Sequence, residues 1–169
     1  MIELRQLSRN LGIQEYEMLQ GIINGEYGFM NDAYGISYEE YKEWLIKQDC
    51  FHIGKNMPPK WIPYTTFFLY DNGIPIGYGR IRHSSNEYLK KVVGAGEIGY
   101  GISKKYRGMG YGNILFQKLL EKCKEFGYKE ITLFPYIDNK ATIKIMLKNG
   151  GEIIGKFKKE KFVIKIPIR

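Results

Sequence analysis

The fold of this chain is indicated most clearly by the stretch Tyr106-Arg107-Gly108-Met109-Gly110-Tyr111-Gly112. It lies between residues 97–103, which are typical of a strand, and residues 113–126, which are typical of an amphipathic helix. A glycine-rich turn that enters a helix gathers backbone N–H groups in one place, and the helix N-terminus adds partial positive charge there. We therefore expect this turn to bind an anion, most often a phosphate or a pyrophosphate.

Residues within the turn support the same interpretation. Gly110 and Gly112 lack a Cβ that would hold a ligand away from the amides, and Arg107 can add charge-assisted hydrogen bonds to phosphate oxygens. The spacing fits neither a P-loop, which needs Gly-Lys-Ser/Thr, nor the Gly-x-Gly-x-x-Gly fingerprint of dinucleotide-binding folds. A glycine-rich turn that binds nothing is the alternative that the motif alone leaves open.

Helices and strands are predicted on both sides of the turn. Before it, the pattern predicts a strand, two helices and a hairpin, at residues 2–7, 14–24, 37–48, 64–70 and 74–82. After it, the pattern predicts a helix, a strand, a second helix and a closing strand pair, at residues 113–126, 130–134, 139–149, 152–157 and 161–166. Ser37 with Glu40 forms a capping box, and Asp71-Asn72-Gly73 is a hairpin turn.

The pattern Arg107-x-x-Gly110-x-Gly112 resembles the acetyl-CoA signature of the GNAT N-acetyltransferase superfamily, and the order of elements is similar to that of GNAT proteins. The resemblance covers residues 97–166, the cofactor half, better than the N-terminal half. Further short stretches look like one subgroup of uncharacterised bacterial GNAT proteins, at residues 80–83, 86–89, 99–100 and 148–151.

This resemblance implies an α/β fold in which residues 1–169 form a single domain. We expect a central, mixed and twisted sheet of about six or seven strands, flanked by about four helices. In GNAT folds a bulge separates two neighbouring strands of the sheet. The four glycines around the strand before the turn are typical of such a bulge, at positions 94, 96, 99 and 101.

The resemblance also implies acetyl-CoA as the acyl donor. Its pyrophosphate would lie at the glycine-rich turn, and its pantetheine arm would enter the gap between the separated strands. Ile102 and Ser103 would bind this arm through their backbone, and Asn139 would touch it from the start of the second helix. The implied cofactor-binding residues are Ile102, Ser103, Arg107, Gly108, Met109, Gly110, Tyr111, Gly112 and Asn139.

Acetyl transfer requires a neutral amine, yet an alkyl amine with a pKa of about 10.4 is mostly charged at neutral pH. Glu97 matches the position of a glutamate base in some GNAT enzymes, and His83 is the second candidate. Each has a structural alternative, because Glu97 stands at a strand end and His83 follows Arg82. A backbone N–H on the strand before the turn is expected to stabilise the oxyanion.

At the position of the usual proton donor to the leaving thiolate, this sequence differs from the family pattern. Many GNAT enzymes carry a tyrosine about seven residues after the asparagine that starts the second helix, but here that position is Met146. Tyr136 is a possible substitute, Tyr100 is another, and solvent can also protonate a thiolate. No covalent acyl-enzyme is implied, because both cysteines lie outside the motif segment.

The acceptor is expected to bind near the N-terminal helices and loops, where aromatic rings alternate with carboxylates such as Glu26 and Asp32. Aromatic rings with carboxylates suit a cationic amine, although many of these rings are expected to pack the core. A small amine, an amino acid and a peptide N-terminus all remain open.

Composition limits the remaining classes of function. The chain of 169 residues suits one domain, and no apolar run approaches the ~20 residues that span a membrane. The charged N-terminus is not typical of a signal peptide, so the cytoplasm is the expected location. Two cysteines and two histidines without close spacing predict no metal site.

Two other functions stay open beside an enzyme. The first is a non-catalytic acyl-CoA-binding sensor or regulatory module, which the missing tyrosine slightly favours. The second is a nucleic-acid-binding protein, because the net charge is +8. That charge also suits the phosphates of CoA or simply raises solubility, so nucleic acid is the less favoured partner. Both a monomer and a homodimer are compatible with the sequence.

Overall fold

Seven strands and four α-helices make up the fold in a computed structural model that describes residues 1–169. In chain order they are β1 Ile2–Gln6, α1 Ile13–Leu19, α2 Tyr38–His52, β2 Tyr64–Asp71, β3 Ile74–Arg82, β4 Ile98–Ile102, α3 Tyr111–Glu125, β5 Glu130–Leu133, α4 Lys140–Lys148, β6 Glu152–Phe157 and β7 Lys161–Pro167. Short helical turns lie in the connections, at Glu26–Gly28, Tyr88–Val93 and Lys104–Tyr106. The predicted order of elements is confirmed.

Local sequence signals explain where the long helices begin. At the start of α2, the Glu40 N–H donates to Ser37 Oγ at 3.1 Å and the Ser37 N–H donates to Glu40 Oε1 at 3.0 Å, so the predicted capping box forms. Helix α3 begins at Tyr111 with no side chain capping it. Its apolar stripe is fully buried and consists of Leu115, Phe116, Leu119 and Cys123.

Hydrogen bonding divides the strands into two antiparallel sheets, with the orders β1-β2-β3-β4 and β5-β7-β6. The α/β fold and the number of strands agree with the prediction. The expected single mixed sheet is corrected to two sheets, because β4 and β5 form no ladder with each other. A mixed sheet would need that ladder to join its two halves.

The edge of β4 that faces β5 forms no hydrogen bonds to another strand, and its one bonded backbone group is the Ile102 oxygen, which accepts from Arg107 Nε. The Arg82 N–H donates to the Glu97 oxygen, and the Ser103 N–H donates to the Ile76 oxygen. The odd-numbered residues of this strand therefore bond to β3, since successive residues point their backbone groups to opposite edges. The N–H and C=O groups of residues 98, 100 and 102 point into the gap between β4 and β5.

Helices cover both faces of the first sheet. Helices α3 and α4 pack with both sheets around the larger core, and α1 and α2 pack on the opposite face around an aromatic-rich core. None of the helices combines the length and the apolar character that a membrane span requires. The chain connections between α1 and α2 therefore run over the same face as the aromatic core.

Helix α1 ends earlier than the predicted helix at residues 14–24. It stops at Leu19 because the following glycine passes very close to the end of β4. A Cβ on Gly21 would lie 2.0 Å from Ser103 Oγ, and the Lys104 N–H donates to the Gly21 oxygen at 2.9 Å. Residues 24–36 then cross the face of β4 as a connection that we call the crossing loop.

Candidate functional site

The glycine-rich turn forms a cradle of free backbone donors at the start of α3. The N–H groups of residues 108–113 donate to no acceptor of the protein, and residues 107–110 are exposed. Gly110 has a φ of 87°, a left-handed conformation that glycine adopts without strain. These donors, together with the positive end of the helix, suit an anion.

Two positions of the turn require glycine for different structural reasons. No atom lies within 4 Å of a Cβ built on Gly110, so this position requires glycine for its conformation and for open space toward a ligand. A Cβ on Gly112 would instead lie 3.3 Å from Ile145 Cδ1. Gly112 therefore also serves the close packing of α3 on α4, which the sequence did not reveal.

Arg107 lies beside the cradle but is engaged by the protein. Its Nε donates to the Ile102 oxygen at 2.9 Å, and its Nη1 donates to Glu26 Oε1 at 2.7 Å. Glu26 belongs to the crossing loop, so this ion pair connects the loop to the turn. An anion in the cradle would compete with Glu26 for the Arg107 guanidinium.

The two residues of β4 and its end that were predicted to bind pantetheine, Ile102 and Ser103, differ in whether their hydrogen-bonding groups are free. The Ser103 N–H donates to the Ile76 oxygen at 3.0 Å, and its hydroxyl donates to the Met18 oxygen at 2.9 Å. Ser103 is thus fully used within the fold. Ile102 points its N–H into the gap beside β5, as Tyr100 does, so these two residues offer the free donors along β4.

The predicted bulge is absent from β4, whose pairing with β3 is regular from Ile98 to Ile102. Gly99 and Gly101 instead make room for the ring of Phe29 from the crossing loop. A Cβ on Gly99 would lie 3.2 Å from this ring and a Cβ on Gly101 3.0 Å. The gap beside β4 thus opens without a bulge, and Phe29 covers one face of it.

Glu97 lies where the two sheets converge, at the narrow end of the gap. Its Oε2 accepts a hydrogen bond of 2.9 Å from the Thr132 N–H of β5, and the side chain is buried. A Cβ on Gly96 would lie 2.1 Å from the Thr132 oxygen, which explains why the neighbour is glycine. Burial raises the pKa of the Glu97 carboxyl above its usual value, and the Thr132 hydrogen bond opposes this effect.

The strand β4 thus has a free edge with unpaired donors, the Glu97 carboxylate just before its start and the anion cradle shortly after its end. The model of the acetyltransferase (GNAT) family matches residues 28–151 of this sequence. The chain belongs to the GNAT acetyltransferase family. A comparison with curated proteins gave no match.

Solved acetyltransferase structures share the whole fold at low sequence identity. PseH, an N-acetyltransferase from Campylobacter jejuni in complex with acetyl coenzyme A, is 14% identical with a TM-score of 0.66, over 100% of both chains. YncA from Salmonella typhimurium, solved with acetyl-CoA, is 13% identical with a TM-score of 0.64, over 100% of this chain and 95% of that one. PaiA from Thermoplasma acidophilum, an N-acetyltransferase solved with coenzyme A, is 16% identical with a TM-score of 0.61, over 99% of each chain.

The position where many GNAT enzymes have a tyrosine is a core position here. Met146 is buried between the two sheets and α3. Tyr100 is the nearest tyrosine on β4, but its hydroxyl bonds to Thr142 and burial raises its pKa to about 12. Tyr136 packs against Gly28 of the crossing loop, and its hydroxyl has no partner within the protein. Of the two candidate acids, Tyr136 therefore has the free hydroxyl.

His83 lies in a separate polar cluster at the far end of β3. Its Nε2 is 2.7 Å from Thr65 Oγ1, and His52 Nδ1 is 2.8 Å from the same hydroxyl. Partial burial lowers the pKa of His83, and the neighbouring His52 adds to this. These contacts favour the structural alternative for His83, and its assignment as the base stays a prediction.

The remaining predicted cofactor residues lie in the turn and at the starts of α3 and α4. Asn139 caps α4, where its Oδ1 accepts from the Thr142 N–H at 3.5 Å. Met109 is the exposed tip of the turn. The Tyr111 hydroxyl donates to Asp71 Oδ2 at 2.5 Å, which fixes the first residue of α3 against the β2–β3 hairpin.

One residue of the site escaped the sequence prediction. Arg80 lies within β3, opposite Gly99 of β4, and is 9% exposed. Its signal was present in the sequence, as a charged residue inside a strand whose other residues are mostly apolar or glycine. Phe29 also escaped a specific role, since the contact with Gly99 and Gly101 depends on the path of the crossing loop.

Proposed function

We propose that this chain transfers the acetyl group of acetyl-CoA to a primary amine by direct attack in a ternary complex. The observation that carries the proposal is the row of free N–H groups at residues 108–113, together with the free N–H groups of Tyr100 and Ile102 on the edge of β4. A pyrophosphate with an attached pantetheine arm matches both parts. The solved relatives that bind acetyl-CoA or CoA have the same fold.

The cradle and the gap would divide the cofactor between them. The N–H groups of Gly108, Met109, Gly110, Tyr111 and Gly112 would bind the pyrophosphate, and Arg107 would turn from Glu26 toward it. The backbone of Ile102 and the amide of Asn139 would bind the pantetheine arm. Ser103 would support this edge through its bonds to Ile76 and Met18 rather than bind the arm itself.

Chemistry would take place at the narrow end of the gap. Glu97 would accept the proton of the amine, directly or through water, and its raised pKa brings it closer to the pH at which it must act. The free N–H of Tyr100 would stabilise the oxyanion that forms when the amine attacks the thioester carbonyl. The C–S bond then breaks, and Tyr136 or solvent would protonate the thiolate.

The proposal is tested by the release of free CoA thiol when amines are added to the protein with acetyl-CoA. We expect at least one amine to produce a stoichiometric N-acetyl product, detected by mass spectrometry. Tight binding of acetyl-CoA with no product from any amine class would instead support the sensor function, which the buried Met146 favours.

The ion pair between Arg107 and Glu26 leads to a smaller prediction. Glu26→Gln is expected to tighten acetyl-CoA binding about two- to fivefold, because Arg107 would no longer have to leave an exposed ion pair. Calorimetric titration measures this change. Glu43→Gln is the control, since it removes an exposed carboxylate of α2 and alters the net charge equally. Equal effects of the two variants would show that Glu26 does not compete for Arg107.

A further inference from the structure

Arg80 is a buried cation on the face of β3 that the crossing loop covers. Its neighbours Gly79 and Ile81 face α3, and side chains alternate along a strand, so Arg80 points to the opposite face. It is 9% exposed, and it stands directly opposite Gly99 of β4. Gly99 on the same face contacts Phe29, so Arg80 lies beside the covered part of the gap.

The guanidinium of Arg80 lacks a negatively charged partner. One nitrogen donates to the Met30 oxygen at 2.7 Å and to the Tyr78 hydroxyl at 3.2 Å, while the Nε has no acceptor at all. The rings of Phe29, Tyr64 and Tyr78 surround it, at 5.2, 5.2 and 5.7 Å from Cζ to the ring centroids. Buried charges without a counter-charge are costly, so a ligand that supplies one would be strongly favoured here.

The acidic residues of the crossing loop form no ion pair with Arg80. Asp32 accepts a hydrogen bond of 2.6 Å from Trp44 Nε1, and Glu26 pairs with Arg107. On the neighbouring helix α2, Glu40 forms the capping box and Asp49 pairs with Arg9. The hydrogen bond from Trp44 brings no opposite charge to Asp32, and Asp32 lies near enough to act electrostatically on Tyr64 and Tyr78 beside Arg80. None of these carboxylates forms an ion pair with Arg80, so its guanidinium is left without a carboxylate partner.

A second arginine adds to the positive charge. Arg82 lies two residues further along the same face of β3, and one of its nitrogens donates to the Gly96 oxygen. Burial lowers the pKa of Arg82, and the charge of Arg80 adds to this effect, whereas Glu97 opposes it. Glu97 therefore acts on Arg82, and Arg80 forms no ion pair with a carboxylate.

From this geometry we infer that Arg80 binds the carboxylate of the acceptor, which makes the acceptor a free amino acid. The inference rests on the proposed function, because it names the substrate of that same site. Adjacent strands lie about 4.8 Å apart, so a carboxylate on Arg80 is one strand away from the edge of β4. Only an amine close to its own carboxylate bridges this short distance, which an α-amino acid does and a long peptide does not.

Phe29 is the partly exposed ring beside Arg80 and would contact the side chain of that amino acid, with the buried rings of Tyr64, Tyr78 and Trp44 beneath it. The rings of Tyr64 and Phe29 contact the Arg80 guanidinium. The Trp44 ring packs against Tyr78, with 6.4 Å between the two ring centroids. Such surroundings favour an apolar or aromatic side chain over a charged one. A polyamine would instead bring a second positive charge to a site that already carries Arg80 and Arg82.

The test compares the L-amino acids with their α-carboxamides as acetyl acceptors. We expect at least one amino acid to react with a kcat/KM about 10- to 100-fold above that of its carboxamide, as for a charge-assisted hydrogen bond. Arg80→Gln should remove this preference and leave the KM for acetyl-CoA within about twofold. Arg5→Gln is the control. The Arg5 guanidinium also stacks on a tyrosine, with Cζ 4.4 Å from the centroid of the Tyr70 ring, but Arg5 is exposed.

Thermal melting separates a binding role from a structural one. If Arg80 serves to bind a ligand, the Arg80→Gln variant should melt at the same temperature as the wild type or a higher one, since the substitution removes an unpaired buried charge. The accepted amino acid should raise the melting temperature of the wild type but not that of the variant. A strong drop in melting temperature with an unchanged preference for the carboxylate would overturn the inference and make Arg80 structural.

Different results would overturn the amino-acid acceptor and the acetyl transfer itself. Equal rates for amino acids and carboxamides, with normal acetyl-CoA binding, would overturn the amino-acid inference and leave the proposed function standing. Preference for a polyamine would do the same. Failure of the wild type to bind acetyl-CoA in the calorimeter would overturn the proposed function, and the inference would fall with it.

Discussion

Replacing Gly110 by aspartate is expected to weaken acetyl-CoA binding by at least about 100-fold, which corresponds to about 2.7 kcal/mol. The position has a φ of 87° and open space in front of it. A carboxylate there would repel the pyrophosphate and would also accept hydrogen bonds from the free N–H groups of the cradle. The change is measured by calorimetric titration with acetyl-CoA.

The matched control is Gly127→Asp at the other end of α3. Gly127 has a φ of 90°, and a Cβ there would also meet no atom within 4 Å, so the backbone strain of the two variants is alike. Only Gly110→Asp places its charge at the cradle. Equal affinity of Gly110→Asp and wild type in folded protein would show that the cofactor binds elsewhere.

Glu97→Gln is expected to lower kcat about 100- to 10,000-fold at neutral pH, the usual contribution of a general base. Acetyl-CoA affinity should change little, because the glutamine oxygen can still accept from the Thr132 N–H. In the wild type kcat should rise as the carboxyl ionises, at a pH above its usual value of 4.5 because burial raises its pKa. This limb of the pH profile should disappear in the variant.

Stability gives a second measure of the same carboxyl. Because the pKa of Glu97 is higher in the folded than in the unfolded protein, its contribution to stability is present at low pH and is lost as pH rises through the folded pKa. Glu97→Gln should therefore be at least as stable as wild type at neutral pH and less dependent on pH. His83→Gln is the kinetic comparison, and a larger loss of kcat there than in Glu97→Gln would assign the base to His83.

Much of the fold could be predicted because its signals are local. The capping box at Ser37 and Glu40, the hairpin turn at Asp71-Asn72-Gly73 and the stripe that includes Leu119 each act within a few residues. The end of α1 at Leu19 could not be predicted, since it depends on Gly21 meeting the end of β4. The division into two sheets likewise depends on pairing between distant strands.

Some parts of the candidate site could likewise be predicted from local sequence, and others could not. The cradle at Gly110 and the position of Glu97 follow from sequence spacing, and both lie along the gap beside β4. The engagement of Ser103 with Ile76 and Met18, and of Arg107 with Glu26, arises from tertiary contacts that no local pattern encodes. The charge on the acceptor side could not be predicted either, because it depends on which carboxylates already have partners.

The measurement that tests the central claim most directly is a calorimetric titration of the protein with acetyl-CoA, with CoA and ATP as comparisons. Binding through the cradle and the gap together predicts micromolar affinity for acetyl-CoA and CoA, and much weaker affinity for ATP, which lacks the pantetheine arm. Equal binding of ATP and acetyl-CoA would mean that the gap beside β4 holds no pantetheine. No binding of acetyl-CoA would contradict the account as a whole.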